Sequence, residues 1–299
     1  MTLAQVDRFV FPAGDPGIAS YLFERLFAPH NLRERLRRSA GLAVRVAKPL
    51  PEDMPAVEKI DAALRSLDLA ASRWLLVEDY SGNERNRIVV FLFGEGEASP
   101  SAVLKLGSGL QREAEALRFL AGHLPAELRD SVPRLLSWQD QALLMSPVPG
   151  VSAYVEMQGL LAPGRAVDRH FDAAAEWLFR FHEATGASHG DFWARNLLIG
   201  PTAVVDWEHF TEEAPIYADL FHFPLTYGLN YPWERWRRLP PDEAFRRTFL
   251  EDNRVSRAVR RYLARFGDPA ALRPPFEAWL ENGQYRDLLG RAGRSVFSG

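Results

Sequence analysis

Two acidic residues and one amide in the second half of the chain have the types and the spacing that phosphoryl transfer requires. Asp191 and Asn196 lie in the segment 189–196, and Asp206 follows the short apolar run Val204–Val205. Transfer of a phosphoryl group needs one carboxylate to accept the proton of the attacking hydroxyl. It also needs an amide and a second carboxylate to hold the divalent cations that bridge the phosphate oxygens. These three residues are therefore candidates for that chemistry.

Each of the three residues also has an ordinary structural interpretation. Asp191 could cap a helix, Asn196 could occupy a turn, and Asp206 could end a strand. Any one of them alone would more often be structural than functional. The combination favours chemistry, because a His-Gly-Asp triplet, four further residues, an Asn, an apolar hairpin and a strand-end Asp follow one another.

Short apolar runs predict the elements that position these residues. Two runs on either side of Gly200-Pro201-Thr202 predict a small hairpin, Leu197–Ile199 with Ala203–Val205. Upstream, five further runs predict an antiparallel sheet, with one helix, Leu110–His123, between the third and fourth strands. Helices segregated from an antiparallel sheet are typical of an α+β fold. The five predicted strands are Trp74–Glu78, Arg87–Phe93, Ser101–Leu106, Val132–Leu136 and Gln141–Met145.

The distribution of proline and glycine predicts three regions. Residues 1–72 contain six prolines and are predicted to be an N-terminal helical extension. Residues 73–145 hold the predicted sheet. Residues 146–150 contain two prolines and a glycine and predict a hinge, beyond which residues 146–299 are predicted to be mainly helical.

The segment 189–196 resembles the catalytic loop of aminoglycoside phosphotransferases and choline kinases, a branch of the protein-kinase-like fold. Asp206-Trp207-Glu208 stands where that family has its metal-binding motif, and the order of elements agrees over about residues 74–230. The resemblance implies a two-lobed fold with a small antiparallel-sheet N-lobe and a mainly helical C-lobe. It also implies that Asp191 is the catalytic base and that Asn196 and Asp206 are magnesium ligands.

This fold also needs a strand lysine on the nucleotide phosphates and a helix glutamate that pairs with it. Lys105 lies inside the apolar run Ala102–Leu106. Glu113 lies on one helical stripe with three leucines, so it is expected to face inward, where an unpaired carboxylate would be costly. Pairing with Lys105 would remove that cost. The alternative for Lys105 is an edge strand that points a lysine at water. The leucines of the stripe are Leu117, Leu120 and Leu124.

The hinge and one loop are expected to complete the nucleotide site. Met145 and Val148 are expected to meet the adenine edge through backbone groups, an inference from their position, although both could equally be core residues. The loop 79–86 is expected to cover the phosphates, but it holds a single glycine, unlike the glycine-rich loop of protein kinases. No A-P-E segment follows Asp206, which argues against a protein substrate.

Acidic and aromatic side chains are concentrated after Asp206. This combination suits a cationic acceptor such as choline or an aminoglycoside, and aromatic rings also stack on sugars. Core packing is the ordinary alternative for each ring. His189 is expected to fix the loop backbone rather than act as acid or base, and Asp219 belongs to a segment that resembles the family's support for that loop. The concentrated residues are Glu208, Glu212, Glu213 and Asp219, with Trp207, Tyr217, Phe221, Phe223, Tyr227, Tyr231, Trp233 and Trp236.

The composition excludes several other classes of protein. A net charge of −3 and an isoelectric point near 6.2 argue against a nucleic-acid partner. No window is long and apolar enough for a predicted membrane span. The absence of cysteine removes disulfides, thiolate metal sites and a cysteine nucleophile, and it fits a reducing cytoplasm. We therefore expect a soluble cytoplasmic protein.

Together these features predict a magnesium-dependent phosphotransferase. The expected reaction moves the γ-phosphoryl of ATP or GTP to a hydroxyl of a small molecule: a sugar or saccharide, an amino alcohol or an aminoglycoside. One alternative is a non-catalytic nucleotide-binding module on the same fold, but such a module need not keep a base such as Asp191. The other is a helical interaction protein without a ligand, which would make the strand lysine and the inward glutamate coincidences.

Overall fold

The computed structural model describes residues 3–6, 8–27, 48–50, 55–71, 73–78, 87–159, 164–212 and 218–230, together with Pro274. The chain divides into two compact units. The first comprises Met1–Gly122 and Val132–Val151, and the second comprises His123–Ser131 and Ser152–Gly299. The first contains an antiparallel sheet and the second is mainly helical in its described part. The predicted α+β class is confirmed.

An antiparallel sheet of eight strands, in the order β3-β1-β2-β4-β5-β6-β8-β7, forms the first unit. The five strands predicted from the sequence are β4 to β8, and they are neighbours in this order. The largest difference is at β7, which begins and ends three residues later than the predicted strand Val132–Leu136. The strands are β1 Leu3–Val6, β2 Phe9–Pro12, β3 Lys48–Leu50, β4 Arg73–Glu78, β5 Ile88–Phe93, β6 Pro100–Leu106, β7 Leu135–Gln139 and β8 Ala142–Met145.

The helical extension predicted for residues 1–72 is wrong for the described part of that range. Strand β1 pairs with β2 and β3, and β2 pairs with β4, so three of its strands continue the sheet. Its helices are α1 (Pro16–Tyr21), which continues as the π-helical turn Leu22–Leu26, and α2 (Pro55–Ser66). Strands of three or four residues are too short to show an alternating pattern. The prolines also fit the strands, since Pro12 ends β2 and Pro49 lies on the edge strand β3.

The helices of residues 1–72 supply core to this sheet. Side chains alternate between the two faces of a strand. Trp74 of β4 therefore joins one buried cluster with Ile60 of α2, whereas Leu75 joins a second cluster with Ile18 and Leu22. The N-terminal segment thus belongs to the first unit and is not a separate extension.

Helix α3, Gln111–His123, follows β6 and carries the predicted inward stripe. Glu113, Leu117 and Leu120 are all buried, which confirms the helical spacing read from the sequence. A short helix, α4 (Ala126–Arg129), precedes β7.

In its described part, the second unit contains helices and a small three-stranded sheet. After the earlier segment His123–Ser131, the chain returns to this unit at β9 (Val151–Ser152), just after the predicted hinge 146–150. The predicted hairpin is confirmed, because Leu197 pairs with Val204 and Leu198 pairs with Ala203. No helix among the described residues is long and apolar enough to cross a membrane. The remaining elements are α5 Ala153–Gly159, α6 Gly164–Thr185, β10 Leu197–Ile199, β11 Ala203–Val204 and α7 Ala218–Asn230.

Candidate active site

A buried carboxylate on α7 fixes the start of the loop 189–196. Asp219 is fully buried, and it accepts hydrogen bonds from the backbone N–H groups of His189, at 2.7 Å, and Gly190, at 3.0 Å. His182 of α6 places Nε2 3.4 Å from the same carboxylate. Burial by itself would raise the pKa of Asp219, but the hydrogen bond and charge of His182 and the contacts with His189 hold the pKa below its usual value. Asp219 therefore supports the loop as an anion.

His189 joins the loop to the strand that precedes Asp206. Its Nε2 lies 3.0 Å from the carbonyl oxygen of Val205, and its Nδ1 lies 3.3 Å from the backbone nitrogen of Asp191. A carbonyl can only accept, so Nε2 carries the hydrogen and Nδ1 is the acceptor. Burial lowers the pKa of His189, which favours this neutral form. The expectation that His189 fixes the loop backbone agrees with these contacts.

Gly190 allows the loop to pass close to a neighbouring backbone. Its φ is +80°, and a Cβ built at this position would lie 2.1 Å from the carbonyl oxygen of His209. No side chain fits that space, because real Cβ contacts do not fall below 3.0 Å. The glycine of the His-Gly-Asp triplet is therefore required by packing as well as by its backbone angle.

The loop brings Asp191 and Asn196 into contact. The amide nitrogen of Asn196 lies 2.9 Å from the carbonyl oxygen of Asp191 and 3.4 Å from its carboxylate oxygen Oδ2. Asn196 is 5% exposed, and the side chain of Asp191 is 18% exposed. The amide is held in one orientation, with its nitrogen toward Asp191 and its oxygen on the opposite side.

Asp206 is attached to this loop through its neighbour Val205. The backbone N–H of Val205 donates to the carbonyl oxygen of Asn196 at 3.0 Å, while its own carbonyl contacts His189. Asp206 itself has a φ of +69°, a left-handed conformation that is uncommon for a residue other than glycine. Such conformations concentrate at functional sites, where the surrounding structure maintains them. The structure thus ties Asp191, Asn196 and Val205, the residue before Asp206, into one hydrogen-bonded network.

The ion pair expected between Lys105 and Glu113 is present in the first unit. Lys105 Nζ lies 2.7 Å and 2.8 Å from the two carboxylate oxygens of Glu113. The glutamate side chain is fully buried and the lysine side chain is 12% exposed. Strand β6 pairs with both β5 and β8, so Lys105 does not lie on an edge strand and that alternative is wrong. Contact of Lys105 with nucleotide phosphates stays a prediction.

The other residues predicted for nucleotide binding occupy ordinary positions. Met145 ends β8, is 3% exposed and pairs in register with Val103 and Leu135. Val148 is partly buried. Their contact with the adenine ring of a nucleotide remains a prediction. The loop 79–86, which is expected to cover the phosphates, lies outside the described residues.

Among the described residues, the aromatic side chains predicted for the acceptor site are packed in the core. Trp207, Phe221, Phe223 and Tyr227 are each no more than 3% exposed. Glu212 is exposed, whereas Glu208 lies 3.1 Å from His209. Outside the described residues lie Glu213, Tyr217, Tyr231, Trp233 and Trp236.

One residue of this site was not predicted from the sequence. His222 of α7 is 6% exposed, and its Nε2 lies 3.2 Å from Oδ1 of Asp191. The signal that could have found it is the spacing from Asp219, since residues three apart share a helix face.

The residues present fit a magnesium ion. Among the described residues, no group of three or more His, Asp or Glu side chains could hold a metal by themselves. Asn196 and Asp206 would supply an amide oxygen and a carboxylate, which are ligands that Mg²⁺ accepts. Magnesium commonly takes its remaining ligands from substrate phosphates and water, so two protein ligands are compatible with such a site.

Comparison with known proteins gives distant similarity in structure alone. No family model matches the chain, and no curated protein matches its sequence. The aminoglycoside phosphotransferase APH(3'')-Id from Streptomyces rimosus is similar with 19% identity and a TM-score of 0.44, over 79% of this chain and 99% of that one. The gentamicin complex of APH(2")-IIa gives 12% identity and a TM-score of 0.42, over 84% and 97%. The streptomycin–ATP complex of APH(2")-IIa gives 12% identity and a TM-score of 0.40, over 72% and 97%. Similarity at this level assigns neither an activity nor a residue role to this chain.

Replacing Gly190 with alanine should destabilise the protein more than the same change at Gly186. Both glycines have positive φ, +80° and +65°, but a Cβ at Gly186 meets nothing within 4 Å. Gly186→Ala should therefore cost about 1–2 kcal/mol for the backbone angle alone. Gly190→Ala should cost about 1–3 kcal/mol more, because the loop must move away from His209. Urea unfolding of both variants measures the difference, and equal losses would show that the close approach is absent.

Acidification should weaken the fold through His189. The pKa of His189 in the folded protein is lowered from 6.5. Below about pH 6.5, the unfolded chain therefore binds more protons at this residue than the folded protein does. The free energy of unfolding should then fall as the pH falls, by up to about 1.4 kcal/mol per pH unit for this group. His189→Gln should reduce that slope but not abolish it, because burial also lowers the pKa of His170. Denaturant unfolding between about pH 5 and pH 7 measures both slopes, and identical slopes would contradict the neutral, buried state of His189.

Proposed function

We propose that this protein transfers the γ-phosphoryl group of ATP or GTP to a hydroxyl of a small molecule, with Mg²⁺ as cofactor. The observation that supports this most is the network that joins Asp191, Asn196 and Val205, the residue directly before Asp206. Catalysis of phosphoryl transfer depends on positioning and on electrostatic stabilisation far more than on covalent chemistry by the enzyme. A network that fixes a base and two oxygen ligands supplies both.

Asp191 is the proposed base. Its carboxylate orients the acceptor hydroxyl and takes the proton as the hydroxyl oxygen attacks the γ-phosphorus. The bond between that phosphorus and the bridging oxygen breaks, so the products are a phosphate ester and a nucleoside diphosphate. Asn196 and Asp206 would hold magnesium, which neutralises charge on the phosphate oxygens when it is bound.

Lys105 is the proposed contact to the nucleotide phosphates, and Glu113 is the residue that holds it. A buried carboxylate needs a partner, because an unpaired charge in the interior is costly. Both oxygens of Glu113 contact Lys105 Nζ, which fixes the position of the ammonium group. Met145 and Val148 remain the proposed neighbours of the adenine ring of the nucleotide.

A small molecule is the proposed acceptor: a sugar or saccharide, an amino alcohol or an aminoglycoside. The competing proposal is a module that binds nucleotide without transfer. Such a module would need the lysine and the metal ligands but not a base. The contacts that hold Asp191 in place, from His189 and Asn196, therefore favour catalysis. We also propose that the protein is soluble and acts in the cytoplasm, without a nucleic-acid or membrane partner.

Nucleotide with magnesium should stabilise the protein, and Asp206→Ala should weaken that effect. At about 100 times its dissociation constant, a ligand adds about 2.7 kcal/mol to the free energy of unfolding. Thermal unfolding with ATP or GTP, each with and without Mg²⁺, measures the shift and distinguishes the two nucleotides. Asp206→Ala should lose the magnesium-dependent part of the shift because it removes one cation ligand.

The matched control is Glu183→Ala, which removes an exposed carboxylate from α6 in the same unit. It should leave the shift unchanged. If neither nucleotide shifts the wild-type protein at millimolar concentration, the proposed function is wrong. If Asp206→Ala behaves like the control, the metal assignment is wrong although nucleotide binding would stand.

A further inference from the structure

One face of α7 contacts four consecutive residues of the loop that carries the proposed base. Asp219 binds the backbone of His189 and Gly190, and Phe223 packs on Phe192 with ring centroids 5.5 Å apart. His222 lies between these contacts along the helix and meets Asp191. Positions i, i+3 and i+4 share a helix face, so these three side chains form one supporting surface. The helix thus reaches the carboxylate of the base as well as the backbone of the loop.

The contact between His222 and Asp191 is buried, and it places an unsatisfied ring nitrogen beside a carboxylate. The His222 residue is 6% exposed, and its Nε2 lies 3.2 Å from Asp191 Oδ1. The contact does not have the geometry of a hydrogen bond, and Nε2 has no other hydrogen-bond partner in the structure. A buried polar group without a partner costs about 1–3 kcal/mol. A small rotation of the Asp191 carboxylate would satisfy Nε2, and the nearby carboxylate is an acceptor of the right charge.

The two oxygens of Asp191 have different neighbours. Oδ1 faces His222 at 3.2 Å, and Oδ2 faces the amide nitrogen of Asn196 at 3.4 Å. The terminal torsion of an aspartate is broad, so a carboxylate held at one oxygen can still turn. Once that rotation brings Oδ1 into a hydrogen bond with Nε2, neighbours at both oxygens would define the plane of the group and its orientation toward an acceptor hydroxyl.

We propose that His222 is a positioning residue for Asp191, with its Nε2–H directed at Oδ1. The role in transfer rests on the proposed function, whereas the contact itself does not. Misplacement of a reacting group by about 1 Å can lower a rate by about 100-fold. Loss of the His222 contact should therefore lower turnover and leave nucleotide affinity unchanged.

The contact can be tested on the protein alone with ¹⁵N-labelled histidine. In the wild type, His222 should show a proton on Nε2, and its resonance is identified by its loss in His222→Gln. That resonance should move in Asp191→Asn, because the charged acceptor becomes neutral. The matched control is His170→Gln, a second buried histidine of this unit that binds Tyr227 and Glu156 instead, and it should leave the His222 resonance in place. A His222 ring protonated only on Nδ1, or one indifferent to Asp191→Asn, would overturn the proposal.

The positioning role can be tested by steady-state hydrolysis of ATP with Mg²⁺, in which water replaces the unidentified acceptor. His222→Leu should lower kcat by about 10- to 100-fold with little change in KM for ATP. His222→Gln keeps an N–H donor at a similar distance from the backbone and should retain most of the activity, and His170→Gln should match the wild type. Wild-type turnover in His222→Leu would contradict the positioning role. If the wild type neither hydrolyses ATP nor phosphorylates a sugar, an amino alcohol or an aminoglycoside while the NMR contact is present, the proposed function fails and the contact stands.

Discussion

The candidate site depends on one buried ion, the carboxylate of Asp219. An interior carboxylate is stable only if hydrogen bonds and opposite charge compensate for its lost hydration. Here the compensation comes from the loop itself, because the backbone N–H groups of His189 and Gly190 donate to it. The same two hydrogen bonds therefore stabilise the anion and hold the loop in its conformation. Residues further along the loop, Asp191 and Asn196, inherit their positions from this attachment.

A second connection runs from the loop to the strand end that carries Asp206. His189 binds the carbonyl of Val205, and the carbonyl of Asn196 accepts from the N–H of the same residue. This region is buried, since Trp207 and His189 are both inaccessible to solvent and their ring centroids lie 4.5 Å apart. Hydrogen bonds are stronger in such surroundings than in water, and a neutral histidine is favoured there.

Sequence patterns predicted the elements with regular periodicity and missed the contacts that join distant segments. The hairpin of β10 and β11 and the inward position of Glu113 could be predicted, because apolar spacing of two or of three to four residues reports which side faces the core. The strands in residues 1–72 could not, since strands of three or four residues carry too few alternations. His222 was missed for a different reason: its partner Asp191 lies far away in the chain, and the only local signal is its spacing of three residues from Asp219 on the same helix face.

Transfer itself is the central claim, and ³¹P NMR tests it most directly. The protein would be incubated with ATP, Mg²⁺ and, in turn, a sugar, an amino alcohol and an aminoglycoside. We expect a new phosphate monoester with one of these acceptor classes. Asp191→Asn should form it at least about 100-fold more slowly and should still bind nucleotide. An Asp191→Asn variant that forms the ester at the wild-type rate would contradict the assignment of the base. A wild-type protein that binds nucleotide and phosphorylates no acceptor class would favour the non-catalytic module.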